Sequence, residues 1–201
     1  LILGQIYIKN IIKIRKYKPF ITNIQIEKFL LWAMLGIIIG GRLGYIVFYN
    51  FSFFINSPIK IFYVWHGGMS FHGGLIGITI SMLLFTVKNN IRFLALTDLI
   101  CAAAPIGIFL GRISNFLNGE LWGKESSLPW AIIFKCAGET PRHPSQLYES
   151  FFEGIIIFTV LYYCIFKLNF LNQVGKISGL FCILYSKQKL SRVWVLTFIS
   201  K

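Results

Sequence analysis

Acidic residues are scarce in this sequence: seven Asp and Glu face twenty Lys and Arg in 201 residues, a formal net charge of +13. Charged residues of both signs amount to only 13%, about half the share of a soluble domain. There is no Cys-x-x-Cys pair and no Cys/His metal spacing among Cys101, Cys136, Cys164 and Cys182. Three of these lie in apolar runs as small hydrophobes, and Cys136 stands alone in a polar stretch, so neither a disulfide nor a zinc site is expected. Gly-x-Ser-x-Gly, phosphate-loop, His-Glu-x-x-His and paired-aspartate motifs are missing, which removes the usual support for hydrolase, ATPase and metalloprotease readings. Signal-peptide, linker and repeat patterns are missing too. So are a basic helix face and an RNA-binding aromatic signature, and the positive charge therefore does not point to nucleic acid.

What is abundant is apolar. Hydrophobic residues make up 56% of the chain, with a mean hydropathy of +0.68. Burial in a bilayer is the natural outlet for so much apolar surface. Apolar runs over residues 29–49, 68–87, 94–117 and 146–166 predict membrane-crossing helices, each about 20 residues long. A weaker run begins near Ile177. The predicted fold is all-α: a polytopic transmembrane helix bundle with a small extracytoplasmic loop region, forming one integral-membrane domain over residues 1–201.

The positive charge orients the bundle. When the spans alternate, Lys9, Lys13, Arg15, Lys16, Lys18 and Lys28 fall on the same side as Lys88, Arg92, Lys167 and Lys176. The other side holds only Lys60, Lys124, Lys135 and Arg142. The richer side is expected to be cytoplasmic, which makes the 119–144 segment extracytoplasmic. Glycines repeat every four residues at Gly36, Gly40 and Gly44, at Gly73 and Gly77, and at Gly107 and Gly111. This spacing lets helix backbones approach closely in lipid.

Ionisable groups at membrane depth are costly and mark candidate sites. Here they are Arg42, His72, Asp98, Arg112, Glu149 and Glu153. Arg42 and Tyr45, His72, Arg112 and Asn115, and Gln146, Glu149 and Glu153 fall at one level on four helices, as expected of a shared cavity near the outer leaflet. The spacing of the last three puts them on one face. Asp98 lies near the cytoplasmic end and reads as structural or as a helix-start residue. His72 lies in a run of paired glycines, His66-Gly-Gly-Met-Ser-Phe-His72-Gly-Gly. A histidine there can take a proton at neutral pH while the glycines let a substrate approach; His66 reads as interfacial. Arg112, followed by Asn115 and Asn118, suits a phosphate, because guanidinium offers a planar donor fork. The plainer reading is an ion pair with Glu149 or Glu153, and both hold together if the pair orients the arginine. Pro141-Arg142-His143-Pro144-Ser145-Gln146 reads as helix-start chemistry, with Ser145 and Gln146 meeting exposed donors.

Taken together, Gly40-Gly41-Arg42-Leu43-Gly44-Tyr45, the Ser70-to-Gly74 run around His72, the Gly111-to-Gly123 run and the His143-to-Glu149 run resemble the prolipoprotein diacylglyceryl transferases. That bacterial family starts lipoprotein maturation. The likeness covers roughly residues 9–185, with four motifs in order. It implies transfer of the diacylglyceryl group of phosphatidylglycerol to the lipobox cysteine thiol of a prolipoprotein signal peptide. It implies membrane lipid as the setting, an active site toward the outer leaflet of the bacterial inner membrane, and no metal, cofactor or nucleic acid. By the same resemblance His72 is the general base and Arg112 the phosphate-site arginine. Asn115, Glu120 and Gly123 match further signature positions, Arg42 lies in the first motif, and Tyr185 matches a tyrosine of the last.

Three departures stand beside the resemblance. Ser114 replaces a usual glycine. Residues 1–12 read as the tail of a spanning helix whose start is missing. After Tyr185 the run Ser186-Lys187-Gln188-Lys189-Leu190-Ser191-Arg192 reads as a frameshift or truncation, with Lys189 near the place of a second essential arginine. On that reading the tail leaves the bilayer and the chain is inactive or nearly so. The rival classes are an inactive remnant of the transferase and a transporter or channel fragment with intramembrane charges along a pathway.

Overall fold

The structure is a computed structural model that describes residues 2–14, 21–49, 51–63, 65 and 67–198. Expectations that fall on His66, on the basic residues 15, 16 and 18, and on the side chains from Lys189 onward lie outside the described residues. The chain is all-α. Its helices are α1 (Ile2–Ile14), α2 (Asn23–Tyr49), α3 (Phe51–Asn56), α4 (Phe71–Lys88), α5 (Phe93–Leu117), α6 (Ser145–Glu149), α7 (Ile157–Phe166) and α8 (Lys176–Phe198). A π-helical segment, Ser150–Ile156, joins α6 to α7. Among the described residues, four stretches are long and apolar enough to cross a membrane: Asn23–Tyr49, Phe71–Lys88, Phe93–Leu117 and Ser145–Phe166.

Two boundaries differ from the sequence expectation, each for a visible reason. Helix α2 starts six residues before 29 because Thr22 and Gln25 form a capping box. The Gln25 N–H donates to Thr22 Oγ1 (3.3 Å), and the Thr22 N–H donates to Gln25 Oε1 (2.8 Å). Helix α4 starts three residues after 68, because Gly67 and Gly68 both have φ +79°, a left-handed backbone that ends any helix. Ser70 then caps α4 by accepting from the Gly73 N–H at 3.2 Å.

The chain forms two compact units, one of residues 12–96 and one of residues 1–11 with 97–201. In the first, α2 and α4 run antiparallel with glycine against glycine. A Cβ on Gly36 would lie 2.7 Å from the Gly77 carbonyl oxygen, and one on Gly44 would lie 2.7 Å from the Gly73 Cα. The predicted close approach is therefore found along this seam, where any side chain would push the backbones apart.

In the second unit α5 packs on the π segment. A Cβ on Gly154 would meet the Phe109 Cβ at 2.7 Å. Tyr7 of α1 lies on Phe158 of α7, with ring centroids 5.1 Å apart. Asp98 of α5, 1% exposed, accepts from the Gly175 N–H (2.6 Å) and the Ser178 N–H (2.8 Å). It thus caps the start of α8 from another helix, where its negative charge also meets the positive end of the helix dipole. Gly107 and Gly111 depart from the expected packing: nothing among the described residues lies within 4 Å of a Cβ placed on either. A small-xxx-small spacing creates a groove, but only a backbone crossing at that point fills it, as at α2–α4 and not here.

Candidate functional site

Each unit contains a polar cluster built around one arginine. In the first, Arg42 of α2 is 7% exposed. Its guanidinium meets the strap that leads into α4. Nε donates to the Ile61 carbonyl (2.9 Å), Nη1 to Gly67 (2.6 Å) and Gly68 (3.3 Å), and Nη2 to Lys60 (2.7 Å) and Tyr63 (3.1 Å). An arginine has five N–H donors, and these five contacts match them. Hydrogen bonds to a charged group contribute roughly 1.5–3 kcal/mol each, so the convergent carbonyl dipoles offset the burial of the cation.

The Ser70 N–H adds a further tie, donating to the Gly41 carbonyl at 2.9 Å. Gly68 is required beside it, because a Cβ there would lie 2.5 Å from Tyr45 Cε1. The strap therefore holds the first turn of α4, and His72 sits on that turn. His72 is exposed, lies edge-to-face on Phe71 at 5.7 Å between centroids, and has no polar partner among the described residues.

The second cluster joins the end of α5 to α6 and the π segment. Arg112 Nε lies 2.9 Å from Glu149 Oε2, and its Nη2 lies 3.8 Å from Glu153 Oε2. The two carboxylates are 8% and 3% exposed, whereas the arginine side chain keeps 20%. Its Nη1 has no polar partner among the described residues. Both ion pairs of the plainer sequence reading are thus present, and the guanidinium still has free donors. An ion pair with one edge open is oriented and can still receive an anion.

Asn115 and Glu120 close the C-terminal end of α5. The Glu120 N–H donates to the Asn115 carbonyl (3.0 Å), and Asn115 Nδ2 donates to Glu120 Oε1 (2.8 Å). Gly123 follows. Its N–H donates to the His143 carbonyl at 2.9 Å, and a Cβ there would fall 2.8 Å from the His143 Cβ. Asn115, Glu120 and Gly123 therefore belong to the same loop-to-helix junction as Arg112. Tyr185 lies on α8, stacked on Phe181 at 5.7 Å.

Two features escape the sequence reading. Ser145 and Gln146 do not cap α6. Ser145 Oγ donates to the Leu121 carbonyl (3.0 Å) and Gln146 Nε2 to the Glu120 carbonyl (2.6 Å). The folded-back loop brings those carbonyls to the buried start of α6, and the side chains satisfy them in place of the helix's own donors. The π segment directly after Glu149 carried no sequence signal. It begins between Glu149 and Glu153, the two carboxylates on Arg112, and π turns are frequent at functional sites. Nearby, the Tyr148 hydroxyl accepts from Trp130 Nε1 (2.8 Å) and lies 3.4 Å from His143 Nδ1, a tie from the 118–144 loop to α6 that only the fold reveals.

Comparison with known proteins converges on one family. Residues 1–198 match the family model described as prolipoprotein diacylglyceryl transferase. The chain is 50% identical over 186 residues to a phosphatidylglycerol–prolipoprotein diacylglyceryl transferase of Rickettsia typhi, covering 92% of this chain and 71% of that protein. A Rickettsia felis protein of the same name is 48% identical over 186 residues, with the same two shares. One from Nitrobacter hamburgensis is 44% identical over 196 residues, covering 95% of this chain and 67% of the relative.

Proposed function

The chain belongs to the prolipoprotein diacylglyceryl transferase family, and we propose that it carries out that family's transfer through the residues of its two arginine-centred clusters. It is a membrane transferase that passes the diacylglyceryl group of phosphatidylglycerol to a prolipoprotein. The transporter alternative has no support from the comparisons.

The acceptor atom is the lipobox cysteine thiol of the prolipoprotein signal peptide. A thiol is a weak nucleophile until it loses its proton. His72, exposed on the first turn of α4, takes that proton as general base. The thiolate attacks the glycerol carbon that bears the phosphate. A C–S bond forms, the C–O bond breaks, and glycerol phosphate leaves with the electron pair on its phosphate oxygen. Arg112 binds the phosphodiester and stabilises the charge that develops there. Asn115, Glu120 and Gly123 hold the loop that carries Arg112's end of α5, and Tyr185 belongs to the same substrate region. Arg42 serves through the strap, since its donors already hold five backbone carbonyls. The excess of Lys and Arg on alternate loops supports a site toward the outer leaflet of the bacterial inner membrane. Both substrates reach it by lateral diffusion, and nucleic acid has no part.

The observation that carries this reading is Arg112: oriented by Glu149, approached by Glu153, and open at Nη1. The test is movement of labelled diacylglycerol from phosphatidylglycerol to a lipobox peptide. In a version restored to full length, Arg112→Ala lowers transfer by roughly a hundred- to a thousandfold, the loss typical of a removed charge-stabilising donor, and His72→Ala by roughly a hundred- to ten-thousandfold, the contribution of a general base. His66→Ala transfers normally. Near-normal transfer by Arg112→Ala refutes the phosphate role.

A further inference from the structure

Gln146 is the most deeply buried polar side chain around Arg112, 1% exposed. Its Nε2 donates to the Glu120 carbonyl at 2.6 Å. That contact fixes which way the amide points, because the reversed orientation would set two oxygens against each other. Its Oε1 finds no donor among the described residues. Buried acceptors of this kind are costly unless a donor arrives. One helical turn further on stands Glu149, whose Oε2 is 2.9 Å from Arg112 Nε. Residues three apart on a helix have Cβ atoms roughly 5–6 Å apart, so Gln146 stands on the same face as the glutamate that meets the guanidinium.

We propose that Gln146 Oε1 accepts a hydrogen bond from a hydroxyl of the glycerol headgroup of phosphatidylglycerol, and so selects the donor lipid by its headgroup. The proposal rests on the reading that Arg112 holds the phosphodiester. Arg112 meets the charged part of the headgroup, and a neutral oxygen meets the neutral hydroxyl beside it. The residue type follows from the same chemistry. A carboxylate at 146 would set a third negative charge beside one guanidinium, whereas a carboxamide supplies an acceptor without charge. A site that is built to hydrogen-bond a substrate hydroxyl rejects the analogue that lacks it, because its own buried group is then left unpaired.

The test uses the full chain purified in detergent and two lipids with identical acyl chains. Phosphatidylglycerol carries the headgroup hydroxyls; phosphatidylethanol has the same phosphodiester charge and none. Retention of each lipid is read by native mass spectrometry, which needs no turnover, and transfer to a lipobox peptide is read in parallel. The wild-type chain favours phosphatidylglycerol by roughly ten- to a hundredfold. Gln146→Leu brings the ratio to near unity, and Gln146→Asn, which keeps the amide but shortens its reach, lowers it. Ser145→Ala removes the neighbouring contact with the Leu121 carbonyl and leaves the ratio unchanged, so a merely structural role predicts the same flat ratio for Gln146. Equal retention of both lipids by the wild-type chain overturns the proposal, as does a preference that survives Gln146→Leu. Phosphatidylglycerol retention that survives Arg112→Ala overturns the reading on which the proposal rests; Arg112-dependent retention without headgroup preference overturns the proposal alone.

Discussion

Arg42 and Arg112 both lie in the last third of an apolar helix, and their surroundings differ in kind. Arg42 faces five neutral carbonyls of one short strap, with every donor engaged. Arg112 faces two carboxylates on a second helix and keeps one edge open. Intramembrane charge alone marks both as functional candidates. Their partners separate them. A guanidinium saturated by backbone cannot receive a phosphate unless the strap comes apart. One held from a single side by carboxylates is oriented and still available. Arg42 thus shapes the place where His72 stands, while Arg112 keeps the open edge that its proposed phosphate role requires.

Substituting the two arginines in parallel sharpens this contrast, and it is the largest effect expected. Arg42→Ala strands five carbonyls of the strap. Melting temperature and transfer should fall together, and the 60–68 segment should become a site of proteolysis. Arg42→Lys recovers little, because an ammonium cannot span the same fork. Arg112→Ala also destabilises, by about 3–5 kcal/mol, since it leaves buried carboxylates without a counter-charge. Here the two losses come apart. Adding Glu149→Gln and Glu153→Gln to Arg112→Ala should restore the melting temperature and leave transfer lost. Recovery of transfer in that triple variant, or an Arg42→Ala chain of unchanged stability, breaks the comparison.

The four spans were legible because lipid demands about 20 apolar residues in a row, whatever the detailed packing. Their ends were legible in part. Thr22 and Gln25 form a capping box that is present in the sequence, yet Glu27 and Lys28 look too polar for a span, and the expected start fell after them. The polar face of Gln146, Glu149 and Glu153 followed from spacing alone, and all three are buried. Arg42's role was not legible, since its partners are backbone carbonyls and residue types do not reveal them. Asp98 read as structural or as a helix-start residue, and it does cap a helix start; which helix was not legible, because its partners lie 77 and 80 residues away. Repeated glycines read alike wherever they occur, and only the fold shows which of them meet a backbone.

Those glycines supply a second test, smaller in effect. In the strap-bearing unit, Gly77→Ala sets a methyl 2.9 Å from the Gly36 carbonyl carbon and from the Gly40 Cα. Neither atom can rotate away, so the variant should lose about 1–3 kcal/mol. In the Arg112 unit, Gly107→Ala meets nothing among the described residues within 4 Å. It should be neutral or gain roughly 0.5–1 kcal/mol from better helix propensity. Thermal unfolding in one detergent compares the two. Equal losses would mean that the open face of α5 is a packing face after all.

Asp98 gives the smallest and cleanest effect, because it is a third buried charge whose surroundings assign it neither kind of arginine role. It sits on α5 with Arg112, but its carboxylate meets only backbone N–H groups at the start of α8. Asn has the same shape and loses two things. It has no charge to meet the helix dipole, worth about 0.3–1 kcal/mol, and one of its two ends becomes a donor. One of the Gly175 and Ser178 N–H groups then faces an NH2 group and loses its partner, a further cost of about 1 kcal/mol. Asp98→Asn should therefore lower the melting temperature by a few degrees. It should leave both the transfer rate at saturating lipid and the headgroup preference unchanged, since no atom of the cap touches the Arg112 cluster among the described contacts. Amide hydrogen exchange at Gly175 and Ser178 should rise, which locates the loss at the cap. If Asp98→Asn instead cuts transfer as deeply as Arg112→Ala while stability holds, then burial and partners do not separate a structural charge from a catalytic one here, and the contrast between the two arginines loses its basis.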